Sequence, residues 1–153
     1  MTHWTGFTIK SNRPLESYLK WPAFFLVLIL FIGCYSRQEQ GDAVKAAERV
    51  HSQLQSGDFG AVYREASPAL KKAISETAFI TGIAKVYKEN GAPEKITPIA
   101  YQKGVDSNLG PQNVLLFEIT FQRIRVRERM VFIRSDDQLK LADLVVDRVE
   151  GSD

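Results

Sequence analysis

Leu115-Leu116-Phe117-Glu118-Ile119-Thr120-Phe121 is the stretch on which the fold turns. Leu115, Phe117, Ile119 and Phe121 alternate with Leu116, Glu118, Thr120 and Gln122, a period of two that gives a strand one buried face. The same period returns on both sides. Val126 to Arg134 reads as a strand after a turn near Arg123 to Arg125. Leu139 to Val149 reads as another, after the turn Ser135-Asp136-Asp137-Gln138. Upstream, Ile96 to Lys103 is a strand that Pro98, having no N–H to donate, confines to an edge or a bulge. Asp106 to Pro111 is the connecting loop.

Ahead of Pro93 the period is helical. Ala43, Ala47, Val50 and Leu54 fall four, three and four apart and draw one apolar stripe. Asp42 is the expected N-cap, and Gly57 the stop. A short helix follows Asp58, with Phe59, Val62 and Tyr63 inward. Ser67-Pro68 restarts the chain as cap and first-turn proline, and a helical stretch runs on to Glu89 with a break near Ser75. Asn90-Gly91 ends it. The expected fold class is α+β: about three helices packed on a curved four-stranded antiparallel sheet, occupying residues 42–150.

The amino-terminal part reads differently. Lys10, Arg13 and Lys20, opposed only by Glu16, precede an uncharged segment, 21–33, that runs into Cys34, the one cysteine in the chain. A basic flank keeps its own end cytoplasmic and sends the downstream chain across the membrane. The apolar core is short for a transmembrane helix, which needs roughly 20 residues, and suits a signal, which needs about 7–15. Gly33-Cys34 resembles the processing site of a bacterial lipoprotein. That resemblance implies cleavage after residue 33 and lipid on Cys34, with 34–41 as a polar tether. Phe31, where such signals usually carry Leu, and the long leader depart from the pattern. The alternative is an uncleaved single-pass anchor. Either way the domain faces the periplasmic or extracytoplasmic side, held at the cell membrane or the outer membrane, and Tyr35 favours the outer membrane.

Charge narrows the partners. The whole chain has 20 Lys and Arg against 18 Asp and Glu. Without Lys10, Arg13, Lys20 and Glu16 the counts are equal at 17, so no sustained basic field marks the domain for nucleic acid. A lipidated Cys34 leaves no thiol for a disulfide, so an apolar core alone must hold the fold.

The order of parts resembles the nuclear transport factor 2-like superfamily. The resemblance rests on Gly57-Asp58-Phe59 with Tyr63, on Ser67-Pro68-Ala69-Leu70-Lys71, on Gly91 and on Asp136-Asp137-Gln138-Leu139-Lys140-Leu141, and covers roughly residues 42–149. Tyr63 and Leu139 stand where related sequences often carry tryptophan. The superfamily holds isomerases, dehydratases, ligand carriers and scaffolds, so it leaves function open. It implies, for an enzyme, an acid or base and a tyrosine inside a cone. It also implies that a homodimer can form through the open sheet face.

Tyr63, Tyr87, Tyr101, Glu118 and Asp143 are the residues available for such a site. Glu118 has the outward parity. Asp143 shares parity with Leu139, Leu141 and Val145, which turns it inward as a candidate acid; otherwise it is an Asp at a strand bend or beside an Arg. Arg123, Arg125, Arg127 and Arg129 would line one face of a regular strand and could hold an anion or a partner. A turn among them would scatter that set, and Glu118, Glu128 and Asp136 are at hand to neutralise it. His51, beside Val50, reads as a solvent-edge helix residue. With no second histidine outside the leader and no free thiol, no transition-metal site and no cofactor is expected. The functional expectation is a membrane-tethered envelope domain that binds a partner protein or small ligand. The rival is an envelope enzyme using Asp143 and a tyrosine.

Overall fold

A computed structural model describes residues 21–149, with side chains from Arg37 onward. Four helices and four strands follow in order: α1 (Trp21–Gln55), α2 (Phe59–Glu65), α3 (Pro68–Ala73), α4 (Glu76–Asn90), then β1 (Lys95–Asp106), β2 (Gly110–Thr120), β3 (Arg125–Ser135) and β4 (Gln138–Arg148). The strands form one antiparallel sheet in the order β1-β2-β3-β4, open at β1 and β4. The fold is α+β, with helices packed against that open sheet. The compact unit that holds the sheet begins at Arg37.

Helix boundaries follow from caps. Gly57 and Gly91 take positive φ, 78° and 77°, a backbone region that favours a residue without a Cβ. Asp58, Ser67 and Ser75 each accept a hydrogen bond from the backbone three residues on, at Ala61, Leu70 and Ala78. The Ser75 cap divides the helical stretch before Glu89 into α3 and α4. One expectation fails here. Residues 34–41 are helical and belong to α1, so Asp42 lies inside a helix rather than at its start. Arg37-Gln38-Glu39-Gln40 are all good helix formers with no proline among them, and Glu39 pairs with Lys103 of β1.

The core lies between the helices and one sheet face. Ala43, Ala47, Val50 and Leu54 of α1 meet Val62 of α2, Phe79 and Ile83 of α4, and the inward sets Leu115, Phe117, Ile119 and Val126, Met130, Phe132. Ser67 N donates to Leu141 O at 2.9 Å and so fixes the α2–α3 junction to β4.

Two register shifts reshape the sheet. One lies in β1 between Pro98 and Ala100, the edge bulge that proline requires. The other lies opposite Val131 and Phe132. Phe132 pairs with Leu141 and Val131 with Asp143, so Ala142 is the extra residue. Past that point the inward residues of β4 become Leu144 and Val146.

The β3–β4 turn carries strain. Asp136 and Asp137 have φ of 51° and 60°, as a two-residue hairpin with both central residues left-handed demands. Asp137→Gly should raise stability by up to about 1 kcal/mol, since a left-handed L-residue costs about 1–2. Urea unfolding of the variant beside the parent checks this.

Among the described residues no helix is long and apolar enough to cross a membrane. The leader, the side chains of segment 21–33 and the thiol of Cys34 lie outside the described residues.

Candidate functional site

One buried polar pair interrupts the core. His51 is 6% exposed and Glu128 is 0% exposed. His51 Nε2 lies 2.7 Å from Glu128 Oε2. This corrects the solvent-edge expectation for His51 and the role of Glu128 as a surface partner for the arginines. Helical and strand geometry explain both. His51 falls four residues after Ala47 and three before Leu54, within the α1 stripe. Glu128 alternates in phase with Val126, Met130 and Phe132, which turns it to the helix side.

Register brings the two together. Glu128 is directly opposite Phe117. The His51 ring stands edge-on to Phe117 at 4.7 Å between centroids, so it spans the β2–β3 pair. Glu128 Oε1 and the Tyr87 hydroxyl are sealed from solvent with no hydrogen-bond partner among the described residues. Tyr87 packs edge-on to Phe121 at 5.6 Å. Burial, and then the charge of Glu128, push its phenol well above the ordinary tyrosine range.

That shift makes stability depend on alkaline pH. The folded phenol resists ionising more than the unfolded one does. Its contribution to stability is therefore whole below pH about 10 and lost as pH rises beyond it. Tyr87→Phe should lose less stability than the parent above that pH, as chemical unfolding at stepped alkaline pH would reveal.

His51 also lines a cleft of about 390 Å³. Val44, Ile96, Pro98 and Phe117 supply its apolar walls, and Glu48, Ser52 and Gln55 of α1 its polar rim. Glu128 is behind His51, away from the cleft lining. The imidazole thus stands between an open apolar cleft and a sealed carboxylate. This arrangement can orient and polarise the ring toward a ligand, because the carboxylate fixes one nitrogen and leaves the other free.

The residues expected from sequence are not brought together. Asp143 lies outward, its side chain 45% exposed, with Oδ2 accepting from Arg129 at 2.8 Å. The Ala142 bulge reverses the parity that would have turned it inward. Tyr63 donates its hydroxyl to Ile74 O at 2.9 Å and packs on Phe79, joining α2 to the end of α3. Tyr101 donates to Asn113 Oδ1 at 2.8 Å, and burial raises its phenol. Glu118 lies on the outer face, opposite Arg127.

Arg125, Arg127 and Arg129 do share that outer face, while Arg123 belongs to the turn before β3. Glu118 comes within 4.0 Å of Arg125, and Asp147 stands opposite Arg127. Each guanidinium on the face therefore has an acidic neighbour, exposed enough for solvent to screen the attraction. No group of three or more His, Cys, Asp or Glu side chains that could hold a metal ion occurs among the described residues.

No protein-family model matches this chain, and no curated protein does. Among solved structures, it is similar to a DUF4783-family protein from Bacteroides fragilis. The identity is 11% and the TM-score 0.47, over 65% of this chain and 95% of the other.

Proposed function

We propose that this chain is a membrane-tethered domain of the cell envelope that acts by binding, and that its binding surface is the cleft at His51. The observation carrying the proposal is a fully buried carboxylate–imidazole pair, one member of which opens onto an apolar cleft. A buried pair of ionisable groups is weak as a stabilising device, because desolvation offsets the attraction. Its presence beneath a cleft favours a role in recognition. The tether rests on segment 21–33 and Cys34, with either lipid on Cys34 or the segment itself holding the membrane. The layout of helices followed by four antiparallel strands supports membership of the nuclear transport factor 2-like superfamily.

Geometry weighs against the enzyme that Asp143 and a tyrosine would make. Asp143 is tied to Arg129 on one side of the sheet, and Tyr63 and Tyr87 belong to the other. The arginine face likewise fits a specific anion poorly, given its acidic neighbours.

Photo-crosslinking in intact cells tests the reading. A photoreactive residue at Ser52, on the cleft rim, should give an adduct that the paired variant H51F/E128L loses, while one at Arg127 on the outer sheet face should not give that adduct. An adduct from Arg127 alone would move the binding surface to the sheet. Mass measurement of membrane-extracted protein tests the tether: residues 1–33 should be absent and Cys34 acylated, and an intact amino terminus would leave only the uncleaved anchor.

A further inference from the structure

We infer that a second cleft, on the other flank of α1 from His51, takes a small organic carboxylate with an apolar body, anchored by Arg49. This site goes beyond the His51 cleft and does not depend on it. Along α1, His51 shares its side with Val44, Glu48 and Gln55, whereas Arg49 shares its side with Asp42, Ala46 and Gln53. The buried stripe of Ala43, Ala47, Val50 and Leu54 runs between the two sets. The second cleft, of about 440 Å³, lies where α1, α2 and the start of β4 meet. Its floor is the buried set Val50, Val62, Phe132 and Leu141. Arg49, Gln138 and Leu139 also line a neighbouring cleft of about 550 Å³ that reaches the β3–β4 turn at Asp137. Arg49 therefore stands at the boundary of the two.

Charge selects the ligand's head. Three cations, Arg49, Arg64 and Lys140, line the cleft against one acid, Glu65. Two of the cations are already engaged. Arg64 lies 3.6 Å from Asp58 Oδ1, and Lys140 donates to Asp136 Oδ2 at 2.6 Å. Arg49 makes no ion pair or hydrogen bond through its side chain among the described residues. That separates it from Arg125 and Arg127 on the outer sheet face, each with an acid close by or opposite. A guanidinium in a folded protein is always charged, so the argument needs no choice of protonation state at Arg49. Its planar fork offers two parallel N–H groups, the match for a carboxylate. The apolar floor asks for an apolar body behind that head. Glu65 limits the charge, since a phosphate dianion would bring a second negative charge that Arg49 alone does not balance. A cationic head would meet three like charges, and a neutral head would leave the fork unused.

Three probes with one phenylbutyl body separate these cases: 4-phenylbutyrate, 4-phenylbutan-1-ol and 4-phenylbutyl phosphate. Each is titrated into the full chain in phosphatidylcholine nanodiscs and followed by ligand-observed NMR, with empty nanodiscs as the blank. The carboxylate should bind saturably and about tenfold more tightly than the alcohol, the effect of a charge-assisted contact. It should also bind more tightly than the phosphate. R49Q changes an exposed side chain, so the fold should stand, and the advantage over the alcohol should vanish. Q53W, which fills the cleft from α1 and keeps Arg49, should abolish saturable binding. E65Q should let the phosphate bind as tightly as the carboxylate. H51F/E128L should bind the carboxylate as the parent does. No saturable carboxylate binding, or binding unchanged in R49Q or Q53W, would overturn the site. Alcohol or phosphate binding as tightly to the parent would overturn the ligand class, and a phosphate unaffected by E65Q would remove Glu65 as the filter. Carboxylate binding lost in H51F/E128L but kept in R49Q would move the ligand to the His51 cleft, overturning this site and leaving that one standing.

Discussion

His51→Ala should lower the unfolding free energy of the domain by about 3–5 kcal/mol, because it strands Glu128 as a buried carboxyl with no partner. Glu128 is 0% exposed and already has one oxygen without a hydrogen bond. Total stabilities of single domains are about 5–15 kcal/mol, so the loss is a large share. Restoring charge balance is what should rescue the variant. Replacing both residues with leucine should avoid the loss altogether, since two apolar residues of similar volume leave nothing buried and uncompensated. Denaturant unfolding of the single and paired variants, compared at one pH, reads out both effects.

Phe132→Ala should cost a similar amount, about 3–5 kcal/mol, by a different route. Phe132 is 1% exposed, pairs across the sheet with Leu141, and sits under α1 and α2 beside Val50 and Val62. Leu141 and Val62, which would have to refill the space, are themselves held by β4 and by a capped helix. A midpoint shift with an unchanged denaturant slope is the expected pattern. A loss well under about 2 kcal/mol would mean that this part of the core is loosely packed. The two variants also differ in kind: the Phe132 defect should not respond to a second change at Glu128.

Much of the architecture is legible from local rules. Caps at Asp58, Ser67 and Ser75, the left-handed glycines and the alternation from Leu115 to Phe121 each act over a few residues, and each places a boundary. What escapes local reading is any feature that depends on one added residue or on a distant partner. Ala142 is such a case. A single bulged residue reverses the parity of everything after it, and nothing in Leu141-Ala142-Asp143-Leu144 announces it. Asp42 is misread as a helix start for a related reason: the polar residues 34–41, without apolar period, continue a helix as readily as they end one.

The site itself is half visible in the sequence. His51 keeps the spacing of Ala47 and Leu54, and Glu128 keeps the phase of Val126 and Met130. Either signal alone reads as an error in an apolar stripe. Together they are complementary, an imidazole and a carboxylate each set where a hydrophobic residue belongs, 77 positions apart. Buried polar residues come in partnered sets, so two such interruptions in one domain are the clue that sequence offers. The cleft above them is not visible there, since it depends on how the Pro98 edge of β1 meets α1.

The central claim is that His51 and Glu128 are present for what they bind rather than for how they hold the fold. Unfolding free energy of the full chain carrying H51L/E128L, measured against the parent, tests it most directly. Equal or greater stability is the predicted result for the paired variant. A paired variant less stable by several kcal/mol would make the two residues a structural requirement and contradict the claim.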